Sequence, residues 1–272
     1  MAIALALGGG AALGWAHIGV LRALHRNEVE IGAVAGTSIG ALAAVCQAAD
    51  RLDVLEEIAR SATIRTVLRY LDPHLRKGAM LGGRAIARQL DRHLGHARFE
   101  DLPIPCAVVA ADLVSGEAVV IRHGAVDEAV RASMALPGIF HPVMRDGQIL
   151  VDGGILMPVP VAAVHDIAPG MPVVAVNLQN DYARRAMAVG LKVHPQPALT
   201  SISVLRSATG LMFSRLARQS LALTPPDLEL ALPVGHIDVR HFTRASELIQ
   251  IGRAATEEAM PSIRALIGKS PA

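Results

Sequence analysis

Short unbroken apolar runs recur along the chain, each closed by glycine or another turn former. "AIALAL" (2–7) is the first, followed at once by "GGGAALG". Continuous runs of this length suit strands covered on both faces. From Trp15 to His25 the spacing changes: Ile18, Val20, Leu21 and Leu24 make a broad apolar face of helical period. "IGAVA" (31–35) predicts a second strand, and the small apolar residues from Ile39 to Ala49 predict a second helix. The opening is therefore a βαβα unit, in which a right-handed crossover joins two parallel strands.

Residues 53–98 read as helical and more polar, with "DPHLRKG" as a break and "GRAIARQLDRHLG" as an amphipathic helix. This insertion is expected to be a static layer, with a lid over the site as the alternative. "IPCAVVAADL" (104–113) and "EAVVIRH" (117–123) predict strands joined through Ser115 and Gly116. A helix near 125–134 leads to "LPGIFHPV" (136–143). Asp146-Gly147 then makes a hairpin turn into "QILV", which runs into "DGG" (152–154). "PVVAVNL" (172–178) is a further buried strand, beyond which the composition shifts. A single domain over 1–272 is expected, with a catalytic region at about 3–165 and a C-terminal strand and helical extension at about 170–272.

Composition sharpens the fold class. The chain has 272 residues, of which 52% are hydrophobic but only 3% aromatic. A core of Ala, Val, Leu and Ile suits a buried α/β sheet better than an aromatic-rich sandwich. A net charge of +2 carries no nucleic-acid signature. Cys46 and Cys106 form neither a disulfide framework nor a metal-ligand spacing, and no metal or cofactor is expected. The N-terminus lacks a basic region and reads as a strand instead of a signal peptide. No stretch approaches the ~18 apolar residues of a membrane span, so a cytoplasmic location is expected.

"GTSIG" (36–40) raises the chemistry. It is either an ordinary strand-to-helix turn or a nucleophile elbow that lifts Ser38 above the sheet. In the second case Ser38 stands at a helix N-terminus, where N–H groups and the helix dipole favour negative charge. Acyl transfer also needs donors for an oxyanion, and "GGGAALG" at the end of the first strand can turn backbone N–H groups toward a ligand. The alternative is a dinucleotide loop, since Gly8, Gly10 and Gly14 give G-x-G-x-x-x-G. That use requires an acidic residue at the end of the second strand, where Ala35-Gly36-Thr37-Ser38 stands instead. For a base, Asp152 lies where a strand meets a glycine turn; the alternatives are histidines, none of which stands in a motif. An α/β-hydrolase triad fits poorly, because only 35 residues precede Gly36 and that fold needs more strands before its elbow.

Together these blocks resemble the patatin-like phospholipases, particularly compact bacterial members. "LALGGGAALGWAHIGVLRAL" is similar to that family's oxyanion block, and "GTSIGAL" to its elbow, with Gly36, Thr37, Ile39 and Gly40 around Ser38. "RASMALPGIFHPV" is similar to the third block, and "VDGG" to the last, with Gly153 and Gly154 after Asp152. The resemblance implies a three-layer α/β/α fold with a mostly parallel sheet, and hydrolysis of lipid acyl esters. It further implies Ser38 as nucleophile, Asp152 as base, and the N–H groups of Gly9, Gly10 and Ala11 as oxyanion donors, without a catalytic histidine. Carboxylesters or thioesters outside the phospholipids are the alternative substrates. An aspartate of ordinary pKa near 3.9 is a weak base at neutral pH, so the dyad calls for a desolvated Asp152 or a strongly stabilised alkoxide. The family usually carries Arg or Lys before the last glycine of the oxyanion block. Leu13 stands there instead, which favours neutral esters if that cation touches substrate.

The expected partner is the lipid or acyl ester itself, with peripheral contact to anionic membrane surfaces. Tyr182 to Pro226 contains no acidic residue, while Arg184, Arg185, Lys192, Arg206, Arg215 and Arg218 are basic. Ile202, Leu205, Met212 and Leu216 form an apolar stripe there. Packing of that stripe on the core, with a basic outer face, is the alternative to lipid contact.

Overall fold

The computed structural model describes residues 2–62, 96–188 and 200–268. The chain begins with β1 (Ile3–Leu7), a 3-10 turn at Ala11–Trp15, and helix α1 (Ala16–Arg26). β2 (Ile31–Thr37) leads through Ser38 directly into α2 (Ile39–Ala48), followed by α3 (Leu52–Arg60). The expected insertion thus opens with a helix, and residues 63–95 of it, including the 83–95 pattern, lie outside the described residues. β3 (Cys106–Asp112) and β4 (Ala118–Ile121) form the anticipated hairpin, and α4 (Val126–Ser133) follows. β5 (Val143–Arg145) and β6 (Gln148–Asp152) are joined by Asp146 and Gly147, both at positive φ (49° and 79°) as a tight hairpin turn requires. Then come α5 (Val161–Ile167), β7 (Val173–Asn177), α6 (Tyr182–Ala188), α7 (Ser201–Leu223), β8 (Leu228–Ala231) and α8 (Ala245–Gly268).

The strands form one sheet in the order β5-β6-β3-β2-β1-β7-β8, with β4 also paired to β3. From β3 through β2, β1 and β7 to β8 every pairing is parallel; β4, β5 and β6 enter antiparallel. The sheet is mixed and mostly parallel, with helices on both faces. The two faces differ in side-chain size. Ile3, Leu5 and Leu7 of β1 point into a large cluster with α1, α2, α4 and α8, while Ala4, Ala6, Ala33, Ala35 and Ala107 meet α5 and α7. This alternation of large and small residues is the period-two signature of a strand. Burying each of the completely enclosed leucines contributes about 1.5–3 kcal/mol.

α8 falls in the expected C-terminal helical extension and packs tightly against the first helix. A side chain at Gly252 would meet the Ala16 carbonyl oxygen at 2.0 Å, and one at Gly19 the Ile249 carbonyl oxygen at 1.9 Å. The backbones therefore touch where both helices have glycine. β8 was unforeseen; its "LELA" is exposed at alternate positions, Glu229 and Ala231, because it is an edge strand beside β7. Among the described residues no helix is long and apolar enough to cross a membrane.

On α7 the outcome inverts the core-packing alternative. Ser207, Ser214, Ala217 and Leu221 face inward, whereas Ile202, Leu205 and Met212 are 72%, 68% and 63% exposed.

Candidate active site

The register of β3 brings the site together. Thr37 pairs with Val109 and Asp152 with Ala110, so the ends of β2 and β6 occupy neighbouring rungs of one strand. Ser38 follows the first end and Asp152 closes the second. Ser38 has φ 57° and ψ −124°, a conformation that a serine adopts only when its surroundings enforce it. The glycines explain how. A Cβ on Gly36 would meet the Gly40 oxygen at 2.1 Å, and a Cβ on Gly40 would meet the Leu7 oxygen at 2.1 Å. The turn closes on backbone at both ends of the motif, which is the geometry of a nucleophile elbow.

Ser38 Oγ donates a 2.6 Å hydrogen bond to Asp152 Oδ2. The other carboxylate oxygen accepts the Gly154 N–H at 2.8 Å, and a Cβ on Gly153 would strike the Val109 oxygen, so "DGG" is held as tightly as the elbow. Asp152 is 4% exposed. Burial lifts its carboxyl from the ordinary value near 3.8 to about 6, opposed in part by the Ser38 hydroxyl and Gly154 N–H. A desolvated carboxylate is the first of the two conditions set by the sequence for an aspartate base.

The glycine loop lies beside this pair, but its three proposed donors are not equivalent. Gly9 N–H donates to the Pro158 oxygen at 2.9 Å, which removes it from the oxyanion set. The expectation for Gly9 is corrected on that ground: the amide is already satisfied. Gly10 and Ala11 N–H have no acceptor among the described residues, and Ala11 sits at φ 49°. Their orientation is pinned from behind. His17 Nε2 donates to the Gly8 oxygen at 2.8 Å, and Gln179 Nε2 to the Gly9 oxygen at 2.8 Å. In a trans peptide the C=O and N–H point in opposite directions, so holding the Gly9 carbonyl aims the Gly10 N–H the other way. His17 is completely buried, and burial lowers its pKa to about 4 against the Gly8 hydrogen bond. It is neutral at pH 7 and carries its proton on Nε2.

Sequence reading missed His17 and Gln179, and it missed Ser133. Ser133 Oγ accepts the Ser38 N–H at 2.8 Å and donates to the Val109 oxygen at 2.6 Å. The only signal was its place inside "RASMALPG". Nothing local tells a reader that its hydroxyl bridges the elbow to β3.

A cavity of about 480 Å³ opens over Ser38 and Asp152, within the range of small-molecule sites. Gly9, Gly10 and Ala11 line one side, Leu136, Pro137 and Ile139 another, and residues of α6 and α7 a third. No described histidine is among its lining residues. Leu13 is not there either; it is wholly buried in the core. Its identity therefore does not shape the cavity wall, and the inference toward neutral esters loses its premise. Cys46 and Cys106 are buried free thiols, with Cys46 pushed up to about 12 by burial. They lie outside the site.

Comparison with known proteins agrees with this geometry. The family model described as patatin-like phospholipase matches residues 5–165. An "Uncharacterized NTE family protein" of Mycobacterium bovis is 41% identical over 181 residues, covering 66% of this chain and 50% of that protein. "Patatin-like phospholipase domain-containing protein 6" of Mus musculus is 34% identical over 175 residues, covering 62% of this chain and 13% of that protein. The chain thus spans about half the length of the mycobacterial relative and a small part of the mouse one. The crystal structure of VipD from Legionella pneumophila superimposes with a TM-score of 0.53 at 14% identity, over 96% of this chain and 67% of that one, a likeness of fold.

Proposed function

Because this chain belongs to the patatin-like phospholipase family, we propose that it is a lipid acyl hydrolase working through a Ser38–Asp152 dyad. The 2.6 Å hydrogen bond from Ser38 Oγ to a buried carboxylate carries the reading. Ser38 Oγ attacks the acyl carbonyl carbon as its proton passes to Asp152 Oδ2. The carbonyl oxygen takes up negative charge and is received by the Gly10 and Ala11 N–H groups at the start of the glycine loop. Collapse of the tetrahedral intermediate expels the alcohol, which takes the proton from Asp152. Water, deprotonated by the same carboxylate, then releases the acid from acyl-Ser38. A fluorophosphonate probe should label the native protein at Ser38 and leave the Ser38→Ala protein unlabelled. Labelling elsewhere, or a folded Ser38→Ala protein keeping a tenth of the ester hydrolysis, would refute the dyad.

The reading extends to a membrane surface of anionic lipid. Exposed Ile202, Leu205 and Met212 share α7 with exposed Arg215 and Arg218, and Arg184 is exposed on α6. Leu205 also lines the cavity, so the apolar stripe runs to the mouth of the site. Of the basic residues noted in the sequence, Arg185 is buried, Arg206 pairs with Asp238 and Arg184 with Asp181, which leaves Arg215 and Arg218 for phosphate contact among the described residues. Such residues contribute about 1 kcal/mol each near an anionic bilayer, and salt weakens that contribution. Co-sedimentation with phosphatidylglycerol vesicles should occur at low salt, fall as ionic strength rises, and be lost in Leu205→Glu. Binding that is absent or indifferent to salt refutes the contact.

A further inference from the structure

The cavity wall supplied by α6 and α7 carries a cation that no carboxylate among the described residues neutralises directly. Arg185 is 6% exposed and lines the same cavity as Ser38. Its guanidinium donates to two neutral acceptors, Gln179 Oε1 and the Leu178 oxygen, the latter at 2.6 Å. Its buried Nε has no partner among the described residues, and no described carboxylate lies within ion-pair distance of it. The nearby acids are engaged elsewhere. Asp181 sits by Arg184 at 3.8 Å, while Asp238 takes both Arg206 and Arg240. Although burial opposes it, those arginines hold Asp238 down at about 2, so it stays ionised and committed.

Ser207 lies on α7, which packs against the helix that carries Arg185. It too lines the cavity, is 7% exposed, and has an Oγ without a partner among the described residues. The helices are in close contact here: a side chain at Gly210, one turn after Ser207, would meet Arg185 Cδ at 3.9 Å. A buried guanidinium lacking a counter-charge is costly, and a buried hydroxyl lacking a partner adds to that cost. A ligand oxygen bearing negative charge satisfies both at once.

We propose that Arg185 and Ser207 form an anion subsite of the catalytic cavity, which receives a phosphate carried by the acyl-ester substrate. The subsite lies outside residues 5–165, on α6 and α7. It is also tied to the chemistry. Gln179 accepts from Arg185 and donates to the Gly9 oxygen, whose peptide presents the Gly10 N–H. Arg185 is thus a specificity-determining residue that also braces the oxyanion loop. The substrate class rests on the Ser38–Asp152 reading; the anion binding itself does not.

The test compares 1-oleoyl-lysophosphatidate with 1-oleoylglycerol, which share an acyl chain and differ in the phosphate. Wild type should favour the phosphate-bearing ester in kcat/KM, and inorganic phosphate should inhibit its hydrolysis competitively. In Arg185→Met the ratio of the two kcat/KM values should fall by about 10-fold or more, the scale of a charge-assisted hydrogen bond. Arg185→Lys should restore part of it. A bracing role alone would lower both substrates together and leave the ratio unmoved. A ratio within about two-fold of wild type in folded Arg185→Met overturns the proposal. If that variant does not fold, Ser207→Val decides: its inhibition constant for phosphate must rise, and an unchanged value overturns the subsite. Should neither ester be hydrolysed, calorimetric titration of the Ser38→Ala protein with inorganic phosphate still tests the subsite apart from the dyad. Absence of binding there counts against the subsite. If phosphate binds but the substrate ratio is flat, the subsite serves a free anion and the substrate assignment falls.

Discussion

Replacing Asp152 with asparagine should inactivate the protein while making it more stable, and the stability change should depend on pH. The carboxyl is lifted from about 3.8 to about 6 by burial. Each pKa unit corresponds to about 1.36 kcal/mol, so holding the ionised form in the folded protein costs about 3 kcal/mol at pH 8. The substituted amide would keep the shape: its oxygen can accept the Gly154 N–H and its NH2 can face Ser38 Oγ. The buried charge alone is removed. Because the folded-state pKa is raised, the folded protein binds this proton more tightly than the unfolded chain. The wild-type penalty is therefore fully present above pH 6, shrinks between pH 6 and pH 4, and vanishes below the unfolded value. Urea unfolding of both proteins at pH 8 and at pH 4 reads this directly. The variant should be more stable by up to about 3 kcal/mol at pH 8 and by less than about 1 kcal/mol at pH 4. Hydrolysis of a p-nitrophenyl ester should fall by about 10²–10⁴. A destabilised Asp152→Asn at pH 8, or a gain that persists in full at pH 4, would refute desolvation as the origin of the base.

In the wild type, kcat/KM should rise with pH through an inflection near 6 as Asp152 ionises, and a flat profile from pH 5 to 8 would exclude it as the base. Ser133→Ala leaves the Ser38 N–H without its acceptor; we expect about 1–3 kcal/mol lost in stability and a lower kcat with little change in KM, read by urea unfolding and steady-state kinetics. Gly252→Ala drives a methyl into the Ala16 oxygen and should cost more than about 2 kcal/mol, whereas Gly268→Ala, at the end of α8 with open space around it, should cost far less in the same unfolding assay.

Much of the fold was legible because parallel strands covered on both faces read as plain apolar runs. "AIALAL", "IGAVA", "IPCAVVAADL" and "PVVAVNL" became β1, β2, β3 and β7 with ends shifted by a residue or two. β8 escaped because an edge strand half open to solvent carries no such run, and the packing of α8 on α1 because that contact is made through glycines. The juxtaposition of Ser38 and Asp152 was legible for a related reason. An elbow and a D-G-G turn must bring backbone against backbone, and that demand is written locally as glycine. Everything else that depends on a partner distant in the chain was decided by tertiary structure alone. Gly9 lost its donor role to Pro158, Ser133 found Ser38, and Leu13 turned into the core. The apolar stripe of α7 faced outward because small serines and an alanine suited the tight contact beneath it. A sequence specifies which groups can donate, accept or repel water, but which of them meet is settled only when the sheet register and the helix contacts close.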